Sequence, residues 1–213
     1  MSDIFREIDE ELRRDNLLKL WSRYGRYVVA AVVVVVLVAG SVVAWRDHQL
    51  SERRAQSTRY AGALALAGTG KTADAAKVFG AIAREGGGFG LLASLEEAGL
   101  LAQSGNRKGA VAAYDRIAAA PGVAPVFRSL AVLLSVMQGM QTGDSRAAIQ
   151  RLAPLTTAGD PWRPSALELT AIARLDAGDR KGALGLYKNL ADDLSAPPSL
   201  RARAAEMAAA LAP

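Results

Sequence analysis

A short sequence motif occurs four times after residue 46 and limits the folds that this chain can adopt. The four copies begin at Gly70, Gly105, Gly143 and Gly178, which are 35, 38 and 35 residues apart. Five positions after each glycine comes an alanine: Ala75, Ala110, Ala148 and Ala183. Nine positions after each glycine comes a bulky residue: Phe79, Tyr114, Leu152 and Tyr187. Four copies in the same register predict a repeat protein.

The spacing inside each copy is that of a helical hairpin. The alanine and the bulky residue lie one turn apart on the same helical face, and the alanine allows a second helix to approach closely. The glycine supplies the turn between the two helices. The pattern resembles the tetratricopeptide repeat, whose period is 34 residues. No copy has that family's first-helix tryptophan, and Pro154 interrupts the third copy.

Helix-breaking residues separate the copies, and one further helix follows the last. The breakers are the glycines at 86–88, Pro121-Gly122, residues 159–161 and Pro197-Pro198. After them, Leu200, Ala204, Met207 and Leu211 fall on one helical face, which is typical of a helix that caps a solenoid. We therefore predict an all-α repeat domain over residues 46–213, with about four helical hairpins and a C-terminal capping helix.

A second strong feature is the run YVVAAVVVVVLVAGSVVAW at residues 27–45, which has no charged residue. As a helix this run extends about 28 Å, close to the roughly 30 Å hydrocarbon core of a bilayer. A lone segment in lipid satisfies its backbone hydrogen bonds only as a helix. Tyr27 and Trp45 lie at its ends, where aromatic residues prefer the membrane interface. We predict a single transmembrane helix over residues 27–45.

Two alternatives compete with this span, and its orientation depends on flanking charge. A buried core segment is one alternative; the other is a cleaved signal peptide, but the run exceeds the usual 7–15 residues and no A-x-A site follows it.

The basic residues within fifteen positions of the span number five on the N-terminal side and four on the other: Arg13, Arg14, Lys19, Arg23 and Arg26 against Arg46, Arg53, Arg54 and Arg59. This majority favours a cytoplasmic N-terminus.

Residues 1–26 are predicted to form a cytoplasmic amphipathic leader. Phe5, Ile8 and Leu12 fall on one face of a helix. Two interpretations are open: the leader only fixes the depth of the anchor, or it is a docking surface for a cytosolic or membrane partner.

Few residues are suited to catalysis or metal binding. There is no cysteine, and His48 is the only histidine, which excludes thiolate sites and sites with two imidazoles. The acidic pairs Glu96-Glu97 and Asp192-Asp193 occupy adjacent positions, which point in different directions on a helix. The 26 Lys and Arg residues are scattered among 21 Asp and Glu, unlike a nucleic-acid-binding stripe. We expect no catalytic residue, cofactor, metal, nucleic acid or small-molecule substrate.

The phrase ALAGTGKT, from Ala65 to Thr72, matches a loose Walker A pattern. A phosphate-binding loop of that kind needs a strand before it and a helix after it. Here the preceding segment is predicted to be helical, and the phrase falls where the repeat needs a turn. A nucleotide-dependent enzyme that uses Lys71 is the alternative hypothesis.

A partner-binding groove is predicted on the first helices of the hairpins, which line the concave side of such arrays. In register, this groove takes eight residues: Tyr60, Leu64, Leu92, Leu95, Leu133, Met137, Met140 and Ile172. An apolar groove with methionines suits the binding of unfolded or helical peptide segments. The alternative is that most of these residues pack the core.

Three phrases resemble a bacterial family of membrane-anchored, tetratricopeptide-like proteins, the YfgM-like family. They are LLKLWSRYGRY before the apolar run, Trp45-Arg46 after it, and PWRPSALELTAIARLDAGDRKGALGLYKNLADD with APPSLRARAAEM. The resemblance implies a single-pass inner-membrane protein with a periplasmic repeat domain. It also implies partners among translocon subunits, periplasmic chaperones and unfolded client segments.

Together these features predict a non-enzymatic protein–protein interaction scaffold or chaperone-type adaptor. The resemblance to the YfgM-like family implies its place, the bacterial inner membrane, and an ancillary role beside the Sec translocon. The alternative is a cell-envelope assembly or division scaffold that binds another membrane protein.

Overall fold

The structure of the protein, a computed structural model, describes residues 2–140 and 144–212; before residue 33 it describes the backbone and only a few side chains. Helices make up 83% of it, and the described residues contain no β-strand. The all-α prediction is confirmed. The elements are α1 (Ser2–Gly68), α2 (Thr72–Glu85), α3 (Gly90–Gln103), α4 (Arg107–Ala119), α5 (Pro125–Gly139), α6 (Ser145–Leu152), a 3-10 turn (Ala153–Thr156), α7 (Arg163–Asp176), α8 (Arg180–Asp192) and α9 (Pro198–Leu211).

The chain divides into two compact units, Met1–Ala55 and Gln56–Pro213. The first unit is helical, and its side chains from residue 33 to residue 55 are exposed. Within the described part of the chain, the stretch Val33–Gly68 of α1 is long and apolar enough to cross a membrane. Helix α1 is therefore a candidate membrane span. The side chains of Phe5, Ile8 and Leu12, on which the predicted leader face depends, lie outside the described residues.

The second unit is a series of helical hairpins. The C-terminal end of α1 pairs with α2, and the later pairs are α3 with α4, α5 with α6, and α7 with α8. The four bulky repeat residues are at most 6% exposed: Phe79 0%, Tyr114 6%, Leu152 0% and Tyr187 2%. The repeat register therefore identifies the core of each hairpin, because its bulky residue fills the space beside the small residue that lets the helices approach.

Four core clusters run along this unit, and each of the first three takes residues from the first helix of the next hairpin. The first joins α1, α2 and α3; the second joins α3, α4 and α5; the third joins α5, α6 and α7. In the fourth cluster α9 takes the place of a next hairpin, since Leu200, Ala204 and Leu211 are buried against Tyr187. Met207 is 36% exposed and does not belong to the buried set.

The described turns inside the hairpins contain a glycine, and in two of them the next residue, Asn106 or Asp179, caps the following helix with its side chain. Gly70, Gly105 and Gly178 have φ of +78°, +78° and +83°, a conformation that favours glycine because it has no Cβ. At Gly178 the next residue, Asp179, donates its amide to the carbonyl of Arg174 at 2.8 Å. Its side chain accepts the amide of Gly182 at 2.8 Å and so caps α8. Gly143 lies outside the described residues.

Pro154 ends the second helix of the third hairpin early. Helix α6 stops at Leu152, and a 3-10 turn follows, because proline lacks an amide hydrogen and its ring clashes with the preceding turn of a helix. The loop that follows packs back onto the start of α5. There the indole nitrogen of Trp162 donates to the carbonyl of Val126 at 2.9 Å, and the hydroxyl of Ser129 donates to Asp160 at 3.1 Å.

Replacing the cap residue Asp179 by alanine is expected to lower the free energy of unfolding by about 1 kcal/mol, because the amide of Gly182 loses its acceptor. The control is Asp192→Ala, which removes the same charge from the exposed C-terminal end of α8. Denaturation of the full chain in detergent, followed by circular dichroism, measures both. Equal losses in the two variants would contradict a capping role for Asp179.

Candidate functional site

The eight residues predicted for the groove fall into three classes of exposure. Four are on the surface: Leu64 at 45%, Leu92 at 48%, Met137 at 42% and Ile172 at 36% exposure. Three are half-buried and pack against core clusters: Tyr60, Leu95 and Met140. Leu133 is 5% exposed and belongs to the third core cluster. We leave Leu133 out of the candidate surface because a partner cannot reach it.

Three of these residues come together at one cavity of about 320 Å³ between α5 and α7, which we call the α5–α7 cavity. Met137 on α5 and Met140, the residue that follows the end of α5, line one side, and Ile172 lines it from α7. Leu169 and Asp176 complete the lining. Sequence reasoning missed these two, although they lie three positions before and four after Ile172, a spacing that marks one helical face.

The exposed apolar residues share a position in the repeat. Leu64, Met137 and Ile172 each lie six positions before the glycine of their copy. The same position in α3 is Gly99, where an added Cβ would lie 3.9 Å from the Tyr114 hydroxyl. Since one register position presents the same face of each first helix, these side chains form an apolar strip that is interrupted in the second hairpin.

The ring of Tyr60 packs against two other aromatic rings. Its ring centroid lies 5.1 Å from that of Phe79, with an interplanar angle of 69°, and 5.2 Å from that of Phe89. Next to it, the guanidinium of Arg59 donates two hydrogen bonds of 2.8 Å to the carboxylate of Glu85. Edge-to-face rings and a bidentate ion pair hold the end of α1 against α2.

A larger cavity, of about 520 Å³, lies between α4, α5 and α6, and we call it the basic cavity. Its lining includes apolar side chains, among them Val111, Val136 and Met140, and the cationic residues Arg107, Lys108 and Arg151. Met140 also lines the α5–α7 cavity. The sequence carries no local signal for the basic cavity, because its residues come from three helices.

The Walker-like phrase forms a helix end. The amide of Gly70 donates to the carbonyl of Ala67, and the amide of Lys71 donates to the carbonyl of Leu66, each at 3.0 Å. A phosphate-binding loop needs such amides to point at the ligand. In this chain they satisfy the last carbonyls of α1, and a helix rather than a strand precedes the turn.

One member of each acidic pair forms an ion pair with an arginine. Glu97 lies 3.3 Å from the guanidinium of Arg116, and Asp193 lies 2.7 Å from that of Arg163. The hydroxyl of Ser195, and then Arg163, lower the pKa of Asp193 because both donate hydrogen bonds to its charged form. No group of three or more metal-binding side chains occurs among the described residues.

The comparison with known families decides the class of this protein. The family described as the tetratricopeptide repeat-like domain matches residues 19–196. The chain belongs to this tetratricopeptide repeat-like family. Domains of this kind generally bind protein partners and typically serve as non-catalytic scaffolds. No curated protein matches the chain in sequence.

Solved structures agree with the tetratricopeptide repeat-like fold. One is a Podosopora anserina protein of nearly identical TPR-like repeats, named for kinesin light chain, with a TM-score of 0.53 and 14% identity. A single-substitution variant of that protein has a TM-score of 0.56 and 15% identity. Each match covers 72% of this chain and 83% of the other. At this identity the similarity shows the fold alone.

Proposed function

We propose that this protein is a membrane-anchored scaffold that binds a segment of a partner protein at the α5–α7 cavity. The observation that carries the proposal is an apolar side chain exposed at one register position on three of the four first helices, two of which line a cavity that also holds Met140. Methionine side chains adapt to varied apolar partners because they are unbranched and polarizable. An apolar surface of this kind on a repeat domain is suited to helical or unfolded segments.

The anchoring part of the proposal rests on the exposure of α1. The large apolar side chains of residues 33–38 are 50–65% exposed. A helix that is apolar all round is stable when lipid or protein surrounds it. Tyr27 and Trp45, near the two ends of the run, suit the membrane interface. We propose that residues 27–45 span the membrane and that residues 46–213 form the repeat domain.

The cellular setting follows from the resemblance to the YfgM-like family. On that basis the leader is cytoplasmic, the repeat domain is periplasmic, and the protein is ancillary to the Sec translocon and periplasmic chaperones. An anchor beside the translocon would raise the effective concentration of the binding surface near emerging chains. The alternative is a cell-envelope assembly or division scaffold, in which the same surface binds another membrane protein.

Site-specific photo-crosslinking of the full chain in its native membrane tests the function. A photoreactive residue at Met137 or Ile172 is expected to give a discrete adduct with a partner protein. The control position is Met207 on α9, which is 36% exposed and lies outside the first-helix surface. Adducts of equal yield at Met207, or none at Met137 and Ile172, would refute the proposed surface. A translocon or chaperone partner supports the adaptor function, and a cell-envelope protein supports the alternative.

A further inference from the structure

We propose that the basic cavity between α4, α5 and α6 binds an acidic segment of a protein partner that carries an apolar anchoring side chain. The inference rests on the proposed scaffold function and adds a second contact of defined chemistry. Three features of the cavity carry it: its apolar floor, its uncompensated cations and its volume.

The floor of the basic cavity is apolar and is part of the domain core. Val136 is 2% exposed and Ala148 is 5% exposed, so both are fixed in the third core cluster. Val111, Met140 and Ala147 are half-buried around them. A volume of about 520 Å³ falls within the range of small-ligand pockets, about 300–1,000 Å³. The cavity can therefore hold a side chain such as leucine or phenylalanine.

The rim places two cations where a helix disfavours them. Arg107 and Lys108 are the first two residues of α4, are exposed, and have no carboxylate partner among the described residues. The positive end of the helix dipole repels cations there. The first turn of α4 has no acidic residue, and its cap, Asn106, is neutral. Carboxylates of a partner would relieve this repulsion.

The other charged groups of the cavity are already engaged. Arg151 forms an ion pair with Asp115 and donates to the hydroxyl of Ser135 at 3.1 Å. Asp144 accepts the amide of Ala147 at 2.9 Å as the cap of α6. The described lining of the cavity thus holds three cations, Arg107, Lys108 and Arg151, against the one carboxylate of Asp144, so it is net positive. A basic partner segment would meet like charge here, whereas an acidic one is complementary.

The chain contains a matched control for this rim. Helix α8 begins with the same phrase as α4, Arg180-Lys181-Gly182-Ala183, and its two cations are exposed. Its cap is the carboxylate Asp179, and the guanidinium of Arg180 donates to the carbonyl of Ala210 at 3.2 Å. Variants of the two pairs thus change net charge equally and separate the basic cavity from general electrostatic attraction.

The test measures fluorescence anisotropy of labelled peptides with the full chain in neutral detergent. The probes are Asp-Glu-Leu-Phe-Asp-Glu, its polar counterpart Asp-Glu-Ser-Ser-Asp-Glu and its basic counterpart Lys-Arg-Leu-Phe-Lys-Arg. We expect the first probe to bind most tightly. The double variant Arg107→Gln, Lys108→Gln should weaken it by about tenfold at most, because it removes two solvent-exposed charge contacts. The pair Arg180→Gln, Lys181→Gln should leave its affinity unchanged, and Ala147→Phe should abolish binding by filling the cavity.

Three outcomes would overturn the proposal: no binding of the first probe, equal weakening by both double variants, or equal affinity for the acidic polar probe. Equal displacement by a single-stranded oligonucleotide would also overturn it, because the rim would then be a general anion surface. Circular dichroism establishes that each variant is folded. If adducts at Met137 persist while peptide binding fails, the basic cavity is refuted and the scaffold function stands.

Discussion

Replacing Phe79 by alanine is expected to destabilise the repeat domain by about 3–5 kcal/mol. The side chain is 0% exposed and packs in the first core cluster with Ala63, Ala93 and Leu100. Its removal leaves a cavity, because the neighbouring helices are fixed by their own contacts and relax only in part. A typical domain is stable by about 5–15 kcal/mol, so this loss is a large part of the total.

Phe127→Ala is the matched control for Phe79→Ala. Phe127 lies on α5 and is 38% exposed, so its truncation should cost well under half as much. Chemical denaturation of the full chain in detergent, followed by circular dichroism, measures both variants. Because repeat domains unfold through interactions between neighbours, loss of the first hairpin alone would also satisfy the prediction. An unfolding midpoint for Phe79→Ala equal to that of Phe127→Ala would contradict the assigned core.

The triple variant Val34→Arg, Val36→Arg, Val38→Arg is expected to release the protein from the membrane. Each arginine near the centre of a spanning helix costs roughly 2.5–3.5 kcal/mol on insertion scales. The three residues lie in the middle of the run at 27–45 and are 57–63% exposed along α1. Their substitution therefore disturbs no core contact. Alkaline extraction of membranes, followed by immunoblotting of the pellet and the supernatant, gives the distribution.

The control for this variant substitutes leucine at the same three positions. Leucine preserves the apolar surface, so that protein should remain in the pellet. An arginine variant that also stays in the pellet would show that α1 does not anchor the chain through this run. A leucine variant found in the supernatant would show that the valines act through some property other than apolarity.

The core of the repeat domain was predictable because its signal is local. The distances from glycine to alanine and from glycine to bulky residue depend only on helix geometry, and all four bulky residues are buried where the register places them. The break at Pro154 was predictable for the same reason. Helix geometry acts within a few residues, and the sequence displays it directly.

The candidate surface was only partly predictable because exposure depends on neighbouring helices. Leu133 and Met137 are one turn apart on α5, yet Leu133 is 5% exposed and Met137 is 42% exposed. The difference arises from the approach of α6 and α7, which no pattern within α5 reveals. The basic cavity was missed for a similar reason, since Lys108 and Arg151 lie on different helices and come together only in the folded domain.

Neighbouring hairpins share their core clusters, and this limits the positions at which the repeat domain can be truncated. Because each bulky residue is covered by the helix that begins the following hairpin, the structural period is displaced by half a unit from the period of the sequence. A fragment that ends with a second helix would leave its final aromatic or leucine side chain open to water. The smallest self-contained piece of the array therefore has an odd number of helices, and α9 supplies that odd member at the C-terminal end.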